Sequence, residues 1–182
     1  MAEVSDEVVS AAQRGDADSL TTIYAALAPS VQGYLRVRGA EDPEGLTSEV
    51  FLAVLDRIGS VVGGATGLRT FVFSVAHARY VDETRRRSRR LTVASYEPEL
   101  DDRQEPSAEV RALHGVRTRE LLGVLDQLAD DQRSVVMLRV LGDLSVEETA
   151  RVLGKSQGAV KQLQRRGLLA LRALLERGEV AR

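Results

Sequence analysis

The chain has 182 residues, of which 43% are hydrophobic and 4% aromatic, and its formal net charge is −2 at pH 7. This composition suits one domain or two small ones and excludes a compositionally disordered chain. The sequence contains no cysteine, which excludes disulfides, thiolate zinc sites and a thiol redox switch within this chain. No signal-peptide core follows Met1 and no run approaches about 18 apolar residues, so we expect a cytoplasmic protein without membrane insertion.

The N-terminal half predicts four helices with clear start and stop signals. Asp42 followed by Pro43 is a strong helix start, because Asp caps free backbone N–H groups and proline fits the first helical position. Pro29 lies inside the second helical pattern and predicts a kink or break there. The predicted helices follow Ser5 and span about 17–38, 42–58 and 68–87, with a glycine-rich loop at 59–67.

Residues 91–106 interrupt the helical pattern. This segment contains Pro98 and Pro106, carries the acidic run 97–102 and lacks sustained periodicity. We interpret it as a flexible acidic linker. Helical patterns resume at about 107–128 and 130–141, and no strand-like alternation of useful length is present. The sequence therefore predicts an all-α protein with two small helical domains.

Near the C-terminus, residues 145–175 contain two helical patterns separated by a very short turn. Ser145 and Glu148 have the spacing of a capping box. Gly154 suits a left-handed turn residue, and Ser156 can cap the second helix. This pattern predicts a helix-turn-helix at about 145–165, whose second helix can lie in the DNA major groove. The alternative is an ordinary helical hairpin with a solvated basic face.

The outer face of the second helix carries side chains that can bond to bases or phosphates, namely Gln157, Lys161, Gln164 and Arg165. From Arg151 to Arg182 there are eight Lys or Arg and two acidic residues, although the whole chain is acidic. A basic patch on an acidic chain is the charge pattern expected of a nucleic-acid surface. The charge distribution therefore favours DNA binding over the plain hairpin.

A second basic surface is predicted on the fourth helix and the arginine-rich stretch after it. Five of the six residues from 85 to 90 are arginine. A helix C-terminus favours cations through its dipole, so a solvated basic end is the alternative reading, although it explains this density less easily. The candidates combine cations with rings that can stack on unpaired bases: Arg69, His77, Arg79, Tyr80, Arg85 and Arg86.

The sequence offers little support for an enzyme. Its two histidines are His77 and His114, and it lacks the motifs of zinc proteases, P-loop enzymes, serine hydrolases and dinucleotide-binding domains. The adjacent acids at 130–131 and 147–148 also fit the first turns of helices, where acids favour the dipole. We therefore predict no catalytic activity, no cofactor and no metal site.

The order of elements resembles the extracytoplasmic-function (ECF) group of RNA polymerase sigma factors over about residues 17–175. The stretch from Leu125 to Leu138, followed by the helix-turn-helix, is similar to the family's region 4, which binds the −35 promoter element. Residues 158–161 are similar to the start of its recognition helix. Residues 49–52 resemble the helix of region 2 that docks on the clamp helices of the polymerase β′ subunit, and residues 68–90 resemble the part that melts and reads the −10 element.

This resemblance implies a division of the chain and three sets of contact residues. Residues 1–90 would form region 2, 91–106 the linker and 107–182 region 4. The implied −35 contacts are Ser156, Gln157, Ala159, Lys161, Gln164 and Arg165. The implied −10 contacts, called the −10 set below, are Arg69, His77, Arg79, Tyr80, Asp82, Arg85 and Arg86. The implied polymerase-docking residues are Leu46, Glu49, Phe51 and Leu52.

The sequence departs from the family pattern at several positions. Gly45 and Ser48 stand where Asp and Gln are usual on the docking helix. Phe71 replaces a common Trp in the core, Ala78 replaces a frequent Asn near the −10 contact, and Ala129 replaces a frequent Pro before the helix that starts at residue 130. The resemblance therefore does not carry promoter preference over at position 78.

Taken together, the resemblance predicts a promoter-specificity sigma factor whose partners are core RNA polymerase, promoter DNA and an anti-sigma factor. One alternative is a free-standing helix-turn-helix regulator that binds operator DNA as a dimer. A further alternative is a helical interaction protein whose basic faces are incidental. The regulator would need a dimer surface or a ligand pocket, and the N-terminal half gives no clear signal of either.

Overall fold

The structure is a computed structural model that describes residues 4–94 and 121–177, which we call the N-terminal and C-terminal units. All regular structure in these ranges is helical, which confirms the predicted all-α class. The N-terminal unit contains α1 (Asp6–Gln13), α2 (Ala17–Arg38), α3 (Pro43–Leu55), a 3₁₀ turn (Ile58–Ser60) and α4 (Gly64–Ala94). The C-terminal unit begins with helical residues 121–126 and continues with α5 (Asp130–Val140), α6 (Val146–Leu153) and α7 (Gln157–Glu176).

The first three helices begin where the sequence predicts, because each has its own side-chain cap. The side chains of Ser5, Asp16 and Asp42 each accept a hydrogen bond from the backbone N–H three residues later, at 3.4, 2.9 and 2.9 Å. Gly39 ends α2 in the left-handed conformation, with φ of 80°. Local residue chemistry therefore determines most boundaries in this unit.

Helix α2 continues through Pro29 without interruption, so the break predicted there is wrong. Proline removes the N–H that would bond to the carbonyl of Ala25. Both Pro29 and Ala25 are exposed, so that carbonyl lies on the solvent side, where water can satisfy it. The flanking residues Ile23, Leu27 and Val31 are buried, so the helix packs on the core on both sides of the proline.

Helix α4 begins earlier than the sequence predicts. It starts at Gly64, so the predicted loop over 59–67 is wrong in its last part. The Asp6 Oδ1 atom accepts a hydrogen bond from the N–H of Ala65 at 2.8 Å, and this carboxylate from α1 satisfies the first turn of α4. Gly63 and Gly64 have φ of 86° and 59°, a left-handed backbone that turns the chain into the helix.

The segment between α3 and α4 is tied to α1. Helix α3 ends at Leu55, and Ile58, which the sequence assigns to that helix, lies in the 3₁₀ turn instead. The Gln13 side-chain amide donates hydrogen bonds to the carbonyls of Ile58 and Val61, at 3.1 and 2.8 Å. These two bonds hold the end of the 3₁₀ turn against the end of α1.

The C-terminal end of α4 extends to Ala94, so the predicted linker at 91–106 begins inside this helix rather than after it. The other residues of that segment lie outside the described residues, as does the start of the helix predicted at 107–128. Residues 121–126 of that prediction are helical. Among the described residues, no helix combines the length and apolar character needed to cross a membrane.

A continuous apolar core passes through both units. Tyr34 and Phe73 lie fully buried at its centre, with their rings edge to face at a centroid distance of 5.9 Å. Leu138 and Leu144 of the C-terminal unit belong to the same cluster. Helix α2 contacts α5, and α4 contacts α6. The two units are therefore docked against each other through these four helices.

Candidate nucleic-acid interface

The helix-turn-helix forms as the sequence predicts. The Glu148 N–H donates to Ser145 Oγ at 3.2 Å, and the Ser145 N–H donates to Glu148 Oε2 at 2.6 Å, which completes the capping box of α6. Gly154 ends α6 in the left-handed conformation, with φ of 61°. Ser156 then caps α7 by accepting a hydrogen bond from the Ala159 N–H at 3.2 Å.

Apolar packing fixes the second helix of the motif relative to the rest of the C-terminal unit. Val135, Ala150 and Val160 form a buried cluster that joins α5, α6 and α7. At Gly167, a Cβ atom would lie 2.9 Å from Val136 Cγ2, so glycine allows close approach of α7 to α5. The outer face of α7 is thereby held in a defined orientation.

Three polar side chains form one exposed stripe on α7, which we call the reader stripe. Gln157, Lys161 and Arg165 are all exposed and follow one another at intervals of four residues. Neither Lys161 nor Arg165 forms an ion pair within the described part of the chain. Their donors are free to contact phosphates or the guanine edge.

The other predicted −35 residues lie beside this stripe with different exposure. Ser156 is exposed, whereas Ala159 and Gln164 are half-buried. The Ser156 hydroxyl and the Ala159 N–H are already bonded to each other in the helix cap. The reader stripe is thus the part of the predicted set whose hydrogen-bond donors are both unused and fully exposed.

The −10 set divides into an open part and a covered part. Asp82, Arg85 and Arg86 are exposed on α4, and Arg79 is half-buried. Asp82 and Arg85 are 3.9 Å apart, a surface ion pair of little energetic weight. These four side chains remain available to a ligand on the outer side of α4.

The covered part consists of Tyr80, which is buried, and of Arg69 and His77, which are half-buried and have polar partners within the protein. Tyr80 is 8% exposed, and the guanidinium of Arg38 lies 4.5 Å from the centre of its ring. His77 Nδ1 is hydrogen bonded to the hydroxyl of Tyr34 at 2.9 Å. Arg69 Nη1 is 3.6 Å from Asp143 Oδ2. The sequence predicts that the Tyr80 ring stacks on a base. In this arrangement such stacking would require movement of Arg38.

The sequence analysis missed Arg38, although its position carries a signal. Arg38 follows Val31, Tyr34 and Leu35 at helical spacing, so it continues the buried stripe of α2. Its side chain is only 3% exposed. An arginine on an apolar stripe indicates a buried ion pair, because an unpaired buried cation is strongly unfavourable.

The partner of Arg38 is Asp130, at the start of α5. Arg38 Nη1 and Nη2 donate to Asp130 Oδ1 and Oδ2 at 2.6 and 2.9 Å, and Nη1 also donates to the Asp130 carbonyl at 3.0 Å. The hydrogen bonds from Arg38 lower the pKa of Asp130. Burial, and then the charge of Arg38, lowers the pKa of His77, so the neutral imidazole is favoured beside the guanidinium.

The predicted docking residues divide in a similar way on α3. Glu49 is exposed and Leu52 is 65% exposed. Leu46 and Phe51 are buried, and the Phe51 ring packs on Tyr24 at a centroid distance of 4.8 Å. Leu46 and Phe51 therefore support the helix from the core side, whereas Glu49 and Leu52 are presented to a partner.

A groove of about 450 Å³ runs between α3 and α4, and we call it the docking groove. Its lining includes Glu49 and Leu52 from α3 and Ala78, Arg79 and Asp82 from α4. An exposed leucine beside charged groups suits a protein partner with an apolar contact and a polar rim. The groove also brings the docking helix next to two members of the −10 set.

Of the departures from the family pattern, Gly45 has a local explanation. The Gly45 N–H donates to the capping Asp42 Oδ1 at 2.9 Å, and a Cβ at Gly45 would lie 2.2 Å from the other oxygen of that carboxylate. Phe71 is half-buried against the core. Ala129 precedes α5 without a side-chain cap. Among the described residues, no group of three or more His, Asp or Glu could hold a metal ion.

Comparison with known proteins gives matches over both units. Residues 124–173 match the family model for sigma-70, region 4. The ECF RNA polymerase sigma factor BldN of Streptomyces coelicolor is 36% identical over 171 residues, which cover 93% of this chain and 65% of BldN. The ECF RNA polymerase sigma factor ShbA of Streptomyces griseus is 32% identical over 179 residues, which cover 93% of this chain and 94% of ShbA.

Among solved structures, the sigma factor RpoE of Bartonella quintana in complex with the anti-sigma factor NepR has the same fold. The TM-score is 0.69 at 18% identity, and the match covers 86% of this chain and 96% of RpoE. At this level of identity the similarity concerns the arrangement of helices alone. It extends beyond the region 4 match to most of the chain.

Proposed function

Since this chain belongs to the ECF group of RNA polymerase sigma factors, we propose that it binds core RNA polymerase and directs transcription initiation by reading −10 and −35 promoter elements. The main observation in support of this proposal is the reader stripe. Gln157, Lys161 and Arg165 lie exposed on the second helix of a helix-turn-helix, inside the segment that matches region 4. Such a helix presents its polar face to the major groove.

The extent of the relatedness favours a sigma factor over a free-standing regulator. The match with ShbA covers nearly the whole of both chains, including the N-terminal unit. A regulator that used only a helix-turn-helix would share no more than the C-terminal part with this family. We therefore assign polymerase docking and −10 reading to residues 1–90 and −35 reading to residues 107–182.

Within this proposal each surface has one role. The docking groove, with Glu49 and Leu52 at its edge, receives the clamp helices of the polymerase β′ subunit. The −10 set contacts the melted promoter strand, where cations meet phosphates and rings stack on bases. The protein supplies no catalysis of its own, since the polymerase carries out the chemistry, and it works in the cytoplasm beside that enzyme.

We further propose that an anti-sigma factor controls this chain. RpoE, which shares the fold, was solved with the anti-sigma factor NepR. The docking groove and the reader stripe are both exposed, so one partner that covers them would block polymerase and promoter together.

Reconstituted transcription tests the proposed function. Bacterial core polymerase is incubated with genomic DNA fragments from the native organism, with and without the protein, and RNA 5′ ends are sequenced. We expect new start sites that share two motifs separated by a constant spacing and that appear only when the protein is present. A protein that binds DNA fragments but leaves the start sites of core polymerase unchanged would contradict this function and favour the dimeric regulator.

A further inference from the structure

The last turns of α4 carry a serine in the middle of the arginine cluster. Ser88 is preceded by the arginines at 85–87 and followed by those at 89–90. Ser88 is exposed, and so are all of these arginines except Arg87, which is half-buried. Binding of DNA accounts for the cations of this cluster but not for the hydroxyl group among them.

Ser88 lies on the side of α4 that carries part of the −10 set. With about 3.6 residues per turn, His77, Arg85 and Ser88 fall within about 80° of one another around the helix axis. Arg85 precedes Ser88 by three residues, the spacing at which side chains on a helix meet. A group attached to the Ser88 hydroxyl would therefore project from the surface that we assign to the melted strand.

The helix end that contains Ser88 lies outside the core. No residue from 81 to 90 is buried, whereas Phe73, Ala76 and Tyr80 anchor the part of α4 before it. Local unwinding of such an end costs little free energy, because it uncovers little apolar surface and breaks hydrogen bonds that water can replace. An unwound segment fits the cleft of an enzyme that binds its protein substrate in extended form.

We propose that Ser88 is a phosphorylation site for an arginine-directed serine/threonine kinase, and that the phosphate weakens binding of the melted strand. A kinase with acidic groups in its substrate cleft selects arginines two and three residues before the serine, and Arg86 and Arg85 occupy those positions. The effect on the strand rests on the proposed function, whereas the modification site rests on sequence, exposure and the position of Ser88 on the helix.

The phosphate comes from a nucleoside triphosphate bound to the kinase. Ser88 Oγ attacks the γ-phosphorus, and the bond between that phosphorus and the oxygen bridging to the β-phosphate breaks. The nucleoside diphosphate leaves with the bonding electron pair, and the hydroxyl proton passes to a carboxylate of the kinase. The product carries a charge of about −1.5 to −2 at neutral pH.

This charge acts on the strand-binding surface in two ways. The phosphate pairs with the guanidinium of Arg85, whose present partner Asp82 is 3.9 Å away in an exposed and weak ion pair. It also repels the phosphates of an approaching strand. If one or two phosphate contacts are lost, the slope of log affinity against log salt concentration should fall in magnitude by about 0.7–1.4.

Ser60 is a matched control in the same unit. It is exposed and follows Arg57 by three residues, but Ile58 occupies the position of the second arginine. The Gln13 side-chain amide donates to the carbonyls of Ile58 and Val61, on either side of Ser60, at 3.1 and 2.8 Å. This turn therefore resists the unwinding that a kinase requires.

Phosphopeptide mapping of the full chain tests the modification site. Tagged protein is purified from native cells in exponential growth and in stationary phase, with phosphatase inhibitors present. Cleavage before Asp82 and Asp101 gives a peptide of residues 82–100 that keeps the arginine cluster intact, and fragment ions locate the phosphate. We expect phosphate on Ser88 in at least one growth phase and on Ser60 in neither. Absence of phosphate from Ser88 in both phases would overturn the assignment.

Binding of single-stranded DNA tests the effect of the phosphate. The purified chain is treated with ATP and the catalytic subunit of a cyclic-AMP-dependent protein kinase, an arginine-directed enzyme. We expect modification of Ser88 and at least about fivefold weaker binding to a random pool of about 20 nucleotides, with the reduced salt slope. Ser88→Ala should resist modification at this position and bind like the untreated wild type.

Ser88→Glu and Ser60→Glu separate the position of the charge from the charge itself. We expect Ser88→Glu to weaken strand binding and Ser60→Glu to leave it nearly unchanged, with circular dichroism showing that both retain their helices. Equal losses in the two variants, or equal binding by the phosphorylated and untreated chains, would overturn the effect on the strand. These readouts use neither polymerase nor a promoter. Failure of the wild-type chain to start transcription would count against the proposed function, whereas the phosphopeptide would still decide the modification site.

Discussion

Arg165 and Arg38 carry the same guanidinium group in opposite surroundings. Arg165 is exposed on α7 and forms no ion pair within the described residues. Arg38 is buried, and its outer nitrogens are bonded to Asp130. A free guanidinium can bind a phosphate or a guanine edge, whereas a buried one is committed to its partner. The solvent exposure of each arginine therefore decides which can read DNA.

Arg165→Ala should lower transcription from the cognate promoter while polymerase binding is retained. If Arg165 reads a base, its loss should remove about 1–3 kcal/mol of discrimination at one promoter position. If it contacts a phosphate, binding should weaken about equally for all sequences. Gln164→Ala, at a half-buried position beside the stripe, should have a smaller effect. Promoter binding of the reconstituted holoenzyme, measured on single-base promoter variants, distinguishes these outcomes.

The matched control is Arg172→Ala. Arg172 lies two turns further along the same helix and is paired with Glu176 at 2.8 Å. This substitution removes the same charge from α7 outside the predicted contact set. Equal losses for Arg165→Ala and Arg172→Ala would mean that the effect is one of net charge, and undiminished transcription from Arg165→Ala would remove that residue from the reader.

His77 should make the stability of the fold dependent on pH. Burial lowers its pKa from the ordinary value of 6.5, with a further lowering from Arg38 and Lys155 and opposing contributions from Asp130 and Asp131. The folded chain therefore binds the imidazole proton less tightly than the unfolded chain does. The stability that the neutral imidazole contributes is fully present above about pH 6.5 and is lost as the pH falls below that value.

Acidification from about pH 7.5 to about pH 5.5 should thus lower the midpoint urea concentration for unfolding. Protonation of Asp130 contributes little to this pH response. The pKa of Asp130 is lowered from its ordinary value of 3.8, so its protonation affects stability only in stronger acid. His77→Gln keeps a polar side chain next to Tyr34 and removes the titration. A pH response that persists unchanged in His77→Gln would assign the effect to another group.

At the scale of single helices, the start of α4 depends on Asp6. Its carboxylate accepts the Ala65 N–H, and Gly64 allows the close approach, since a Cβ there would lie 2.2 Å from Asp6 Oδ1. Asp6→Ala should destabilise the protein by about 0.5–2 kcal/mol, the usual cost of losing a helix cap. Urea unfolding followed by circular dichroism measures this loss.

Glu7→Ala is the control for that substitution, because it removes a neighbouring exposed acid from the same first turn of α1. We expect it to change the free energy of unfolding by less than about 0.5 kcal/mol. If both substitutions destabilise the protein to the same extent, the loss comes from the interaction of these acids with the dipole of α1 and not from the hydrogen bond at the start of α4.

Helix α3 should carry the contact with polymerase through its exposed side. Glu49→Lys reverses a charge at the edge of the docking groove and should reduce capture of core polymerase. The fold should remain intact, because exposed charge changes usually alter stability by less than about 0.5 kcal/mol. Pull-down with core polymerase measures the effect. Asp18→Lys, an exposed acid that does not line the groove, is the control.

Unaffected capture by Glu49→Lys would move docking to another face of the N-terminal unit. Phe51→Ala would be a poor substitute for this test. Phe51 is buried against Tyr24, so its loss would lower both stability and binding.

The predictability of each element follows from where its determining residues lie. The caps of α1, α3, α6 and α7 are within three residues of the helix start, and the sequence predicts all four. The start of α4 depends on Asp6, which is 59 residues from its hydrogen-bond partner Ala65, and no local pattern reveals it. The reader stripe follows from helical spacing alone. The coverage of Tyr80 depends on Arg38 and Asp130, which are 92 residues apart.

For the whole molecule, the docked units leave two surfaces for partners. The reader stripe is basic, and the docking groove combines an exposed leucine with acidic and basic side chains. The total charge of −2 limits sequence-independent binding to DNA, so promoter contact depends on delivery by polymerase. Activity then requires both surfaces to be free.

An inhibitory partner should act on these open surfaces. The chain has no cysteine, so any thiol-based redox sensing has to reside in the partner. A protein that covers Glu49 and Leu52 on α3 together with the reader stripe would block polymerase and promoter at once, and would stabilise the docked units by linkage. We expect purification of the tagged chain from the native cell to recover such a protein in stoichiometric amount.

Adding the recovered protein back to reconstituted transcription should abolish the new start sites. Glu49→Lys and Arg165→Ala should each weaken its capture, whereas Arg172→Ala, which leaves both surfaces intact, should not. Full activity of the protein from the native cell, with no stoichiometric inhibitor recovered, would contradict control by such a partner.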